Sequence, residues 1–147
     1  MKILNSREDA KEFLMQIKYL TDDIAEKKGH IQRLKESLDV AGISYDKERV
    51  QCSPELDKFA YVFAQIDKEE RLLEELKTKL IQTRVKTINM IYQLENEKYR
   101  SLLNIVYVDM KSLKKAANIM CFSYDYIKEL HLEALDAFSE KFPLQNP

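Results

Sequence analysis

The sequence is poor in the residues that interrupt helices. It contains two Gly, three Pro and no Trp among 147 residues. Because turn-rich β folds need Gly and Pro at their many chain reversals, this scarcity argues against them and favours long helices. Apolar runs are also short, well below the roughly 20 residues that a membrane helix requires. The N-terminal stretch MKILNSREDAKEF has only two consecutive apolar residues before it becomes charged and does not resemble a secretory signal, so we expect a cytoplasmic protein.

Residues that could carry metal or catalytic chemistry are few and scattered. The two cysteines, Cys52 and Cys121, lie far apart and lack the CxxC spacing of zinc and redox sites. His30 and His131 are isolated from other metal-ligating residues, and we expect His131 near backbone or solvent at the end of its helix. The sequence holds no nucleophile–base pair, P-loop or dinucleotide fingerprint. We therefore expect no enzymatic activity, no cofactor and no metal site.

Charge is nearly balanced, with 24 basic and 25 acidic residues and a net charge of −1. A DNA-binding domain normally has a basic excess, because neutralising phosphates supplies much of its affinity. Residues 95–147 show no such excess. They hold seven basic residues (Lys98, Arg100, Lys111, Lys114, Lys115, Lys128 and Lys141) and eight acidic ones (Glu95, Glu97, Asp109, Asp125, Glu129, Glu133, Asp136 and Glu140). Any basic surface must therefore be local.

The first half of the chain carries the pattern of a long helix. Ser6 can cap its start, with Asp9 as a capping-box partner, and Gly42 stands where a left-handed cap would end it after Ala41. The apolar residues recur three and four positions apart except where Lys27 interrupts, which predicts a coiled-coil seam. The seam consists of Ile17, Leu20, Ile24, Ile31, Leu34 and Leu38. A helix of this length needs a partner helix to cover the seam.

A second long helix is predicted to supply that partner. Residues 43–53 lack a helical period and are predicted to be a linker, after which Ser53 and Pro54 begin a helix that reaches Leu94. Two helices of similar length with a short connection favour an antiparallel hairpin. The seam is interrupted at Lys27, Glu69, Thr83 and Thr87, which is compatible with a hairpin within one chain or with a bundle of several chains, so the oligomeric state stays open.

The second helix carries an additional apolar stripe beyond Leu80. The stripe consists of Ile81, Val85, Ile88 and Tyr92. A helix that is apolar on more than one side is expected to be buried on more than one side. The sequence therefore predicts that this half packs against the first helix and also against the C-terminal unit or a second subunit.

Three shorter helices are predicted after Leu94. They begin at Asn96, Ser112 and Ser123, each a residue that can cap a helix. Within Ser112–Leu130 the pattern is that of a helix-turn-helix. Small Ala116 and Ala117 stand where two helices cross closely, and Met120, Phe122, Ile127 and Leu130 fall at the positions that such a unit buries. Cys121 occupies the turn position where Gly is usual.

The predicted fold class is therefore all-α. A long antiparallel helical hairpin, a coiled coil, covers residues 1–94 with its linker at 43–53, and a small three-helix unit with the helix-turn-helix covers residues 95–147. A plain three-helix bundle with no role in DNA binding is the alternative for this second part. A coiled-coil component that is purely structural is a further alternative.

Helix-turn-helix geometry assigns candidate DNA contacts. The first helix of such a unit crosses the DNA backbone, and the start of the second meets base edges. The residues placed to contact DNA are Lys111, Lys114, Lys115, Ser123, Tyr124, Asp125 and Lys128, with Glu129 also facing the groove. Asp125, Glu129 and Glu133 recur every four residues and form an acidic line on the same helix. This line also fits a contact surface for a protein partner.

Two segments of the chain resemble a known family. They are the linker SYDKERVQCSP and the segment LLNIVYVDMKSLKKAANIMCFSYDYIKELHLEALDAF. The matching positions are Tyr45, Val50, Ser53, Pro54, Tyr107, Ser112, Leu113, Ala117, Met120, Ser123, Ile127, Leu130, His131, Ala134 and Leu135. The chain is similar in these positions to small phage and prophage proteins of Gram-positive bacteria, related to regulators of the ArpU and RinA type with a helix-turn-helix like that of sigma-factor region four. It departs from their pattern at Ala116, at Cys121 in place of the turn Gly and at Val106 in place of Arg.

The resemblance implies a phage-derived transcription regulator that binds double-stranded DNA through its helix-turn-helix. The helical hairpin would act as a spacer or as the interface of a homodimer. The alternative is a protein-interaction module that contacts RNA polymerase or another phage protein without binding DNA itself.

Overall fold

The computed structural model describes residues 7–43 and 58–143, and all regular structure within these ranges is helical. The helices are α1 (Arg7–Leu14), α2 (Gln16–Val40), α3 (Ala60–Tyr92), α4 (Glu97–Leu103), α5 (Leu113–Met120) and α6 (Tyr124–Lys141), with a π-helical segment at Asn104–Val108. The predicted all-α class is confirmed. The predicted cap at Ser6, the linker and the helix start at Ser53 and Pro54 lie outside the described residues.

The long helix predicted from Ser6 to Ala41 is bent at Met15, where α1 ends and α2 follows. Met15 keeps both of its own backbone hydrogen bonds. The Met15 amide donates to the Lys11 carbonyl at 2.9 Å, and the Tyr19 amide donates to the Met15 carbonyl at 3.0 Å. The bend leaves the apolar faces of α1 and α2 free to follow different surfaces.

Gly42 ends α2 as predicted. Its φ of +75° is the left-handed conformation that Gly adopts without a steric penalty. The Ile43 amide then donates to the Leu38 carbonyl at 3.0 Å, and the Gly42 amide donates to the Asp39 carbonyl at 2.8 Å. These two bonds satisfy the last carbonyls of the helix in the Schellman arrangement.

The chain divides into two compact units, a larger one of residues 1–19 and 80–147 and a smaller one of residues 20–79. In the smaller unit the predicted seam residues of α2 are buried, except for half-buried Leu34. The interruption of that seam at Lys27 meets the interruption at Glu69, since Lys27 Nζ lies 2.5 Å from Glu69 Oε2. The hydrogen bond from Lys27 lowers the pKa of the Glu69 carboxyl. The partly exposed Lys27–Glu69 ion pair thus takes the place of one apolar layer of the seam.

The larger unit extends beyond residues 95–147, the range predicted for the C-terminal unit. Its core also takes in α1, the first turn of α2 and the end of α3, because these segments bury their apolar faces on α6 and on the π-helical segment. The shared cluster contains Ala10, Leu14, Ile17, Met90, Ile91, Leu94, Leu103, Tyr107, Val108, Ala134, Leu135 and Phe138. An ion pair at 2.8 Å between Arg7 and Asp136 also joins α1 to α6.

The second apolar stripe of α3 is not buried by the described part of the chain. Ile81, Val85, Ile88 and Tyr92 are 64%, 53%, 37% and 79% exposed. Of the two partners predicted for this stripe, the C-terminal unit is therefore wrong, and a second subunit stays a prediction. The reason is that α3 uses its opposite side, with Thr87, Met90 and Ile91, to enter the core of the larger unit.

His131 is buried, contrary to the expectation that it lies near backbone or solvent. It is 8% exposed, and its Nε2 lies 2.6 Å from the hydroxyl oxygen of Tyr107. The π-helical segment places Tyr107 on this side, and the two rings stack with their centroids 5.7 Å apart. Burial, aided by the charge of Lys11, lowers the pKa of His131 to about 4. Burial also raises the pKa of Tyr107, so a neutral pair joins α6 to the π-helical segment at neutral pH.

We expect acid to destabilise the fold through His131. Because its pKa of about 4 in the folded chain lies below the ordinary 6.5, the unfolded chain binds the proton first as the pH falls. The free energy of unfolding should be constant above pH 6.5 and should fall by up to about 3 kcal/mol between pH 6.5 and 4. Urea titrations across this range measure the loss.

One variant isolates the His131 contribution. His131→Gln keeps a hydrogen-bonding side chain but cannot titrate, so it should lose less stability than the wild type between pH 6.5 and 4, by up to about 3 kcal/mol. An identical pH profile for His131→Gln and the wild type would contradict the assignment.

Candidate nucleic-acid interface

The predicted caps of the helix-turn-helix form as expected. The Ser112 hydroxyl oxygen accepts a hydrogen bond from the Lys115 amide at 3.2 Å, which begins α5. The Ser123 hydroxyl oxygen accepts one from the Tyr126 amide at 3.2 Å, which begins α6. Each serine satisfies an amide that the first turn of its helix leaves without a partner. The start of α6 is thereby fixed beside the turn.

The turn itself depends on Cys121 in a left-handed conformation, with φ 60° and ψ 40°. The Phe122 amide donates to the Ala117 carbonyl at 3.0 Å, so the chain leaves α5 through the same kind of cap that Gly42 supplies to α2. The backbone therefore adopts the conformation for which Gly is usual, although a Cβ is present. The missing turn Gly changes the energy of the turn and not its path.

The core between α5 and α6 contains the residues that the sequence predicted. Ala116, Ala117, Ile127 and Leu130 are buried, and Leu102 of α4 completes their cluster. Met120 and Phe122 are half-buried against it. The two alanines allow close approach of the helices, since a larger side chain at either position would collide with α6. This core holds the outer faces of α5 and α6 in a fixed relation.

Three predicted DNA contacts converge at the start of α6. Lys128 Nζ lies 4.7 Å from the ring centre of Tyr124, and Lys114 Nζ of α5 lies 5.7 Å from the same centre. We call Lys114, Tyr124 and Lys128 the lysine–tyrosine cluster. Asp125 also joins it, with Oδ1 3.2 Å from Lys128 Nζ. All four side chains are exposed, so two cations and a phenol face solvent beside the turn.

Lys98 extends this surface and was not predicted. Its Nζ lies 3.4 Å from the Tyr126 hydroxyl oxygen and 5.4 Å from the ring centre of Phe122. The contact was not visible in the sequence because Lys98 lies in the first turn of α4, 28 residues before Tyr126. The one available signal was the pair of aromatic residues at Phe122 and Tyr126, which pack edge to face at 4.9 Å and form a ledge for a cation.

The remaining predicted contacts are exposed but separate from the cluster. Lys111 and Lys115 are both exposed, and no ion pair involves Lys111, Lys114 or Lys115 within residues 7–43 and 58–143. The Ser123 hydroxyl oxygen is occupied as a cap. Ser123 therefore positions α6. If it also contacts DNA, its hydroxyl group would act as the hydrogen-bond donor.

The acidic line on α6 is partly compensated. Asp125 pairs with Lys128, and Glu133 accepts a hydrogen bond from the Tyr99 hydroxyl at 3.3 Å. Glu129 between them is exposed. The line is thus not a continuous negative face, although the Asp125 and Glu129 side chains both remain exposed.

Two further observations bear on the kind of site. No helix in the described ranges has the length and apolar character to span a membrane. Within the same residues, His, Cys, Asp and Glu do not gather into a group of three or more that could hold a metal ion. Comparisons of the chain with family models, curated proteins and solved structures find no match.

Replacing Cys121 tests the strained turn. Cys121→Gly removes the Cβ that disfavours φ 60°, whereas Cys121→Ala removes the thiol alone. We expect the glycine variant to be more stable than the alanine variant by about 0.5–1 kcal/mol, the usual advantage of Gly in this conformation after its higher unfolded-state entropy. Urea unfolding of both variants provides the comparison. Equal stabilities would mean that the turn relaxes without cost.

Proposed function

We propose that the chain is a transcription regulator that binds double-stranded DNA through α5 and α6. The observation that carries the proposal is the lysine–tyrosine cluster at the capped start of α6. In a helix-turn-helix this end of the second helix enters the major groove, while the first helix crosses the backbone. The cluster takes one lysine from α5 and its other two members from α6, which fits a surface that contacts backbone and bases together.

The charges of this surface support binding to phosphate. Besides the two lysines of the cluster, Lys98, Lys111 and Lys115 are exposed cations of the same unit, although the whole chain has a net charge of −1. The free amides at the start of α6 add a partial positive charge at the same place. The exposed phenols of Tyr124 and Tyr126 can donate hydrogen bonds to phosphate or to base edges. Resemblance to the phage regulators agrees with this assignment.

A second candidate function is a protein-interaction module that contacts RNA polymerase or another phage protein. The observation that favours it is the outer face of α6, where Glu129 is exposed beside Leu132, which is 41% exposed. A carboxylate next to an exposed leucine suits a protein surface better than a phosphate backbone. Both functions use α6, but they assign opposite roles to its acidic residues.

Lys114 and Lys115 supply the first test. Their joint replacement, Lys114→Ala with Lys115→Ala, should weaken binding to every DNA sequence, because phosphate contacts carry no base information. The slope of log affinity against log salt should decrease by up to about two units. Fluorescence anisotropy with short duplexes at several salt concentrations measures both quantities.

The control for that test is Lys18→Ala with Lys28→Ala, which removes the same charge from exposed positions on α2. It should leave the salt slope unchanged. If the intact protein retains no DNA at low salt, the proposed function fails.

Asp125 and Glu129 supply a test that separates the two functions. Asp125→Asn releases Lys128 from its ion pair, and Glu129→Gln removes the exposed carboxylate. If α6 faces DNA, the double variant should bind DNA several-fold more tightly, because repulsion from phosphates is lost. If α6 faces a protein, the same variant should lose capture by purified RNA polymerase and show no gain in DNA affinity.

A further inference from the structure

The exposed face of α3 in the larger unit presents a continuous apolar stripe. It consists of Ile81, Val85, Ile88 and Tyr92, which recur at steps of four, three and four residues. These steps place all four side chains on one narrow face of the helix, over about 17 Å at 1.5 Å per residue. Four large apolar side chains exposed in one line mark an interaction surface, unlike single exposed residues.

We propose that this stripe is the interface through which two copies of the chain pair, with their α3 helices antiparallel across a two-fold axis. The spacing of the stripe is symmetric about the midpoint between Val85 and Ile88. An antiparallel partner therefore sets Val85 against Ile88 of the partner subunit and Ile81 against Tyr92 of the partner subunit. A two-fold interface needs just this self-complementarity, since the same patch is used on both sides.

The edges of the stripe favour a second copy over a charged partner. Gln82 and Asn89 border one side, and in the antiparallel arrangement these amides face each other and can exchange hydrogen bonds. On the other side Ile91 is fully buried, and the Arg84 guanidinium donates to the Val108 carbonyl at 3.0 Å. The stripe and its Gln82–Asn89 edge are uncharged, so two copies can meet through uncharged side chains, and the hydrogen bond to Val108 holds the Arg84 guanidinium against its own chain.

The size of the surface sets the expected strength of pairing. At their observed exposures the four side chains offer on the order of 400 Å² per copy, or about 800 Å² for the pair, and the amide edges add to this. The total lies below the roughly 1,200 Å² of stable specific interfaces and in the range of weak, transient ones. Pairing should therefore be reversible, with a dissociation constant on the order of 10 µM. This inference concerns self-association, and its failure would leave DNA binding by a single copy possible.

Sedimentation of the full chain between about 1 and 300 µM tests the pairing, a range that brackets a micromolar interface. We expect a monomer–dimer equilibrium in the wild type. Val85→Glu should abolish the dimer, because each copy would bury an unpaired carboxylate against Ile88 of the partner subunit. Ile119→Glu is the matched control, since Ile119 is also about half exposed, at 48%, and lies on α5. It should dimerise as the wild type does, and circular dichroism should show equal helicity in both variants.

A charge exchange between two variants tests the antiparallel register. Mixing Val85→Glu with Ile88→Lys should restore dimers, because one layer then holds a Glu–Lys pair and the other remains Val–Ile. Mixing Val85→Glu with Val85→Lys should restore fewer dimers, since the two residues 85 lie directly opposite each other only in a parallel pair and are about 4.5 Å apart along the axis in an antiparallel one. A wild type that stays monomeric at 300 µM, or a Val85→Glu variant that still dimerises, would overturn the proposal. Rescue by the Val85 pair alone would overturn the antiparallel register.

Discussion

The structure of the larger unit depends on α6 being buried along its whole length by two different sets of partners. The first half of its inner face, with Ile127 and Leu130, belongs to the cluster of the helix-turn-helix, and the second half, with Ala134, Leu135 and Phe138, receives α1 and the end of α3. His131 lies between the two and joins them through Tyr107. Because α6 cannot move without disturbing both clusters, its outer face is held as a rigid surface. On the proposed function that rigidity is needed, since base contacts depend on fixed positions.

Local features of this unit were predictable from the sequence because they depend on neighbouring residues. The caps at Asn96, Ser112 and Ser123 follow from side chains that reach amides two or three residues later. Gly42 and Cys121 end their helices through the same left-handed backbone, and the first could be named from its residue type alone. The helix-turn-helix core was predictable for a related reason. Its small and apolar residues lie within one short stretch of chain, so their spacing alone brings them together.

The features that were not predictable depend on contacts between distant parts of the chain. Arg7 and Asp136 are 129 residues apart, and no local pattern relates them. The burial of His131 required knowledge of the π-helical segment, since an ordinary α-helical turn would direct Tyr107 elsewhere. The α3 stripe is exposed because α1 and α6 pack against the other side of that helix. Periodicity showed that α3 has two apolar faces, but it could not assign either of them to a partner.

A near-neutral chain that binds DNA must obtain its affinity from arrangement rather than from net charge. On the proposed function, the cations around the start of α6 act locally, while Asp125 and Glu129 lower the attraction of the same surface for arbitrary phosphates. The repulsion lowers affinity for every DNA sequence, but at the specific site base contacts in the correct register offset it. Such a surface therefore loses more non-specific affinity than specific affinity. Each copy alone would then bind weakly. Pairing through the stripe of α3, which lies in the same compact unit as the interface, would link two weak sites into one. When the first site of a dimer has bound, the second site is held near the DNA at a high effective concentration, so the overall affinity rises without new contacts. On the proposed function, a dimer could therefore tolerate the acidic residues of α6.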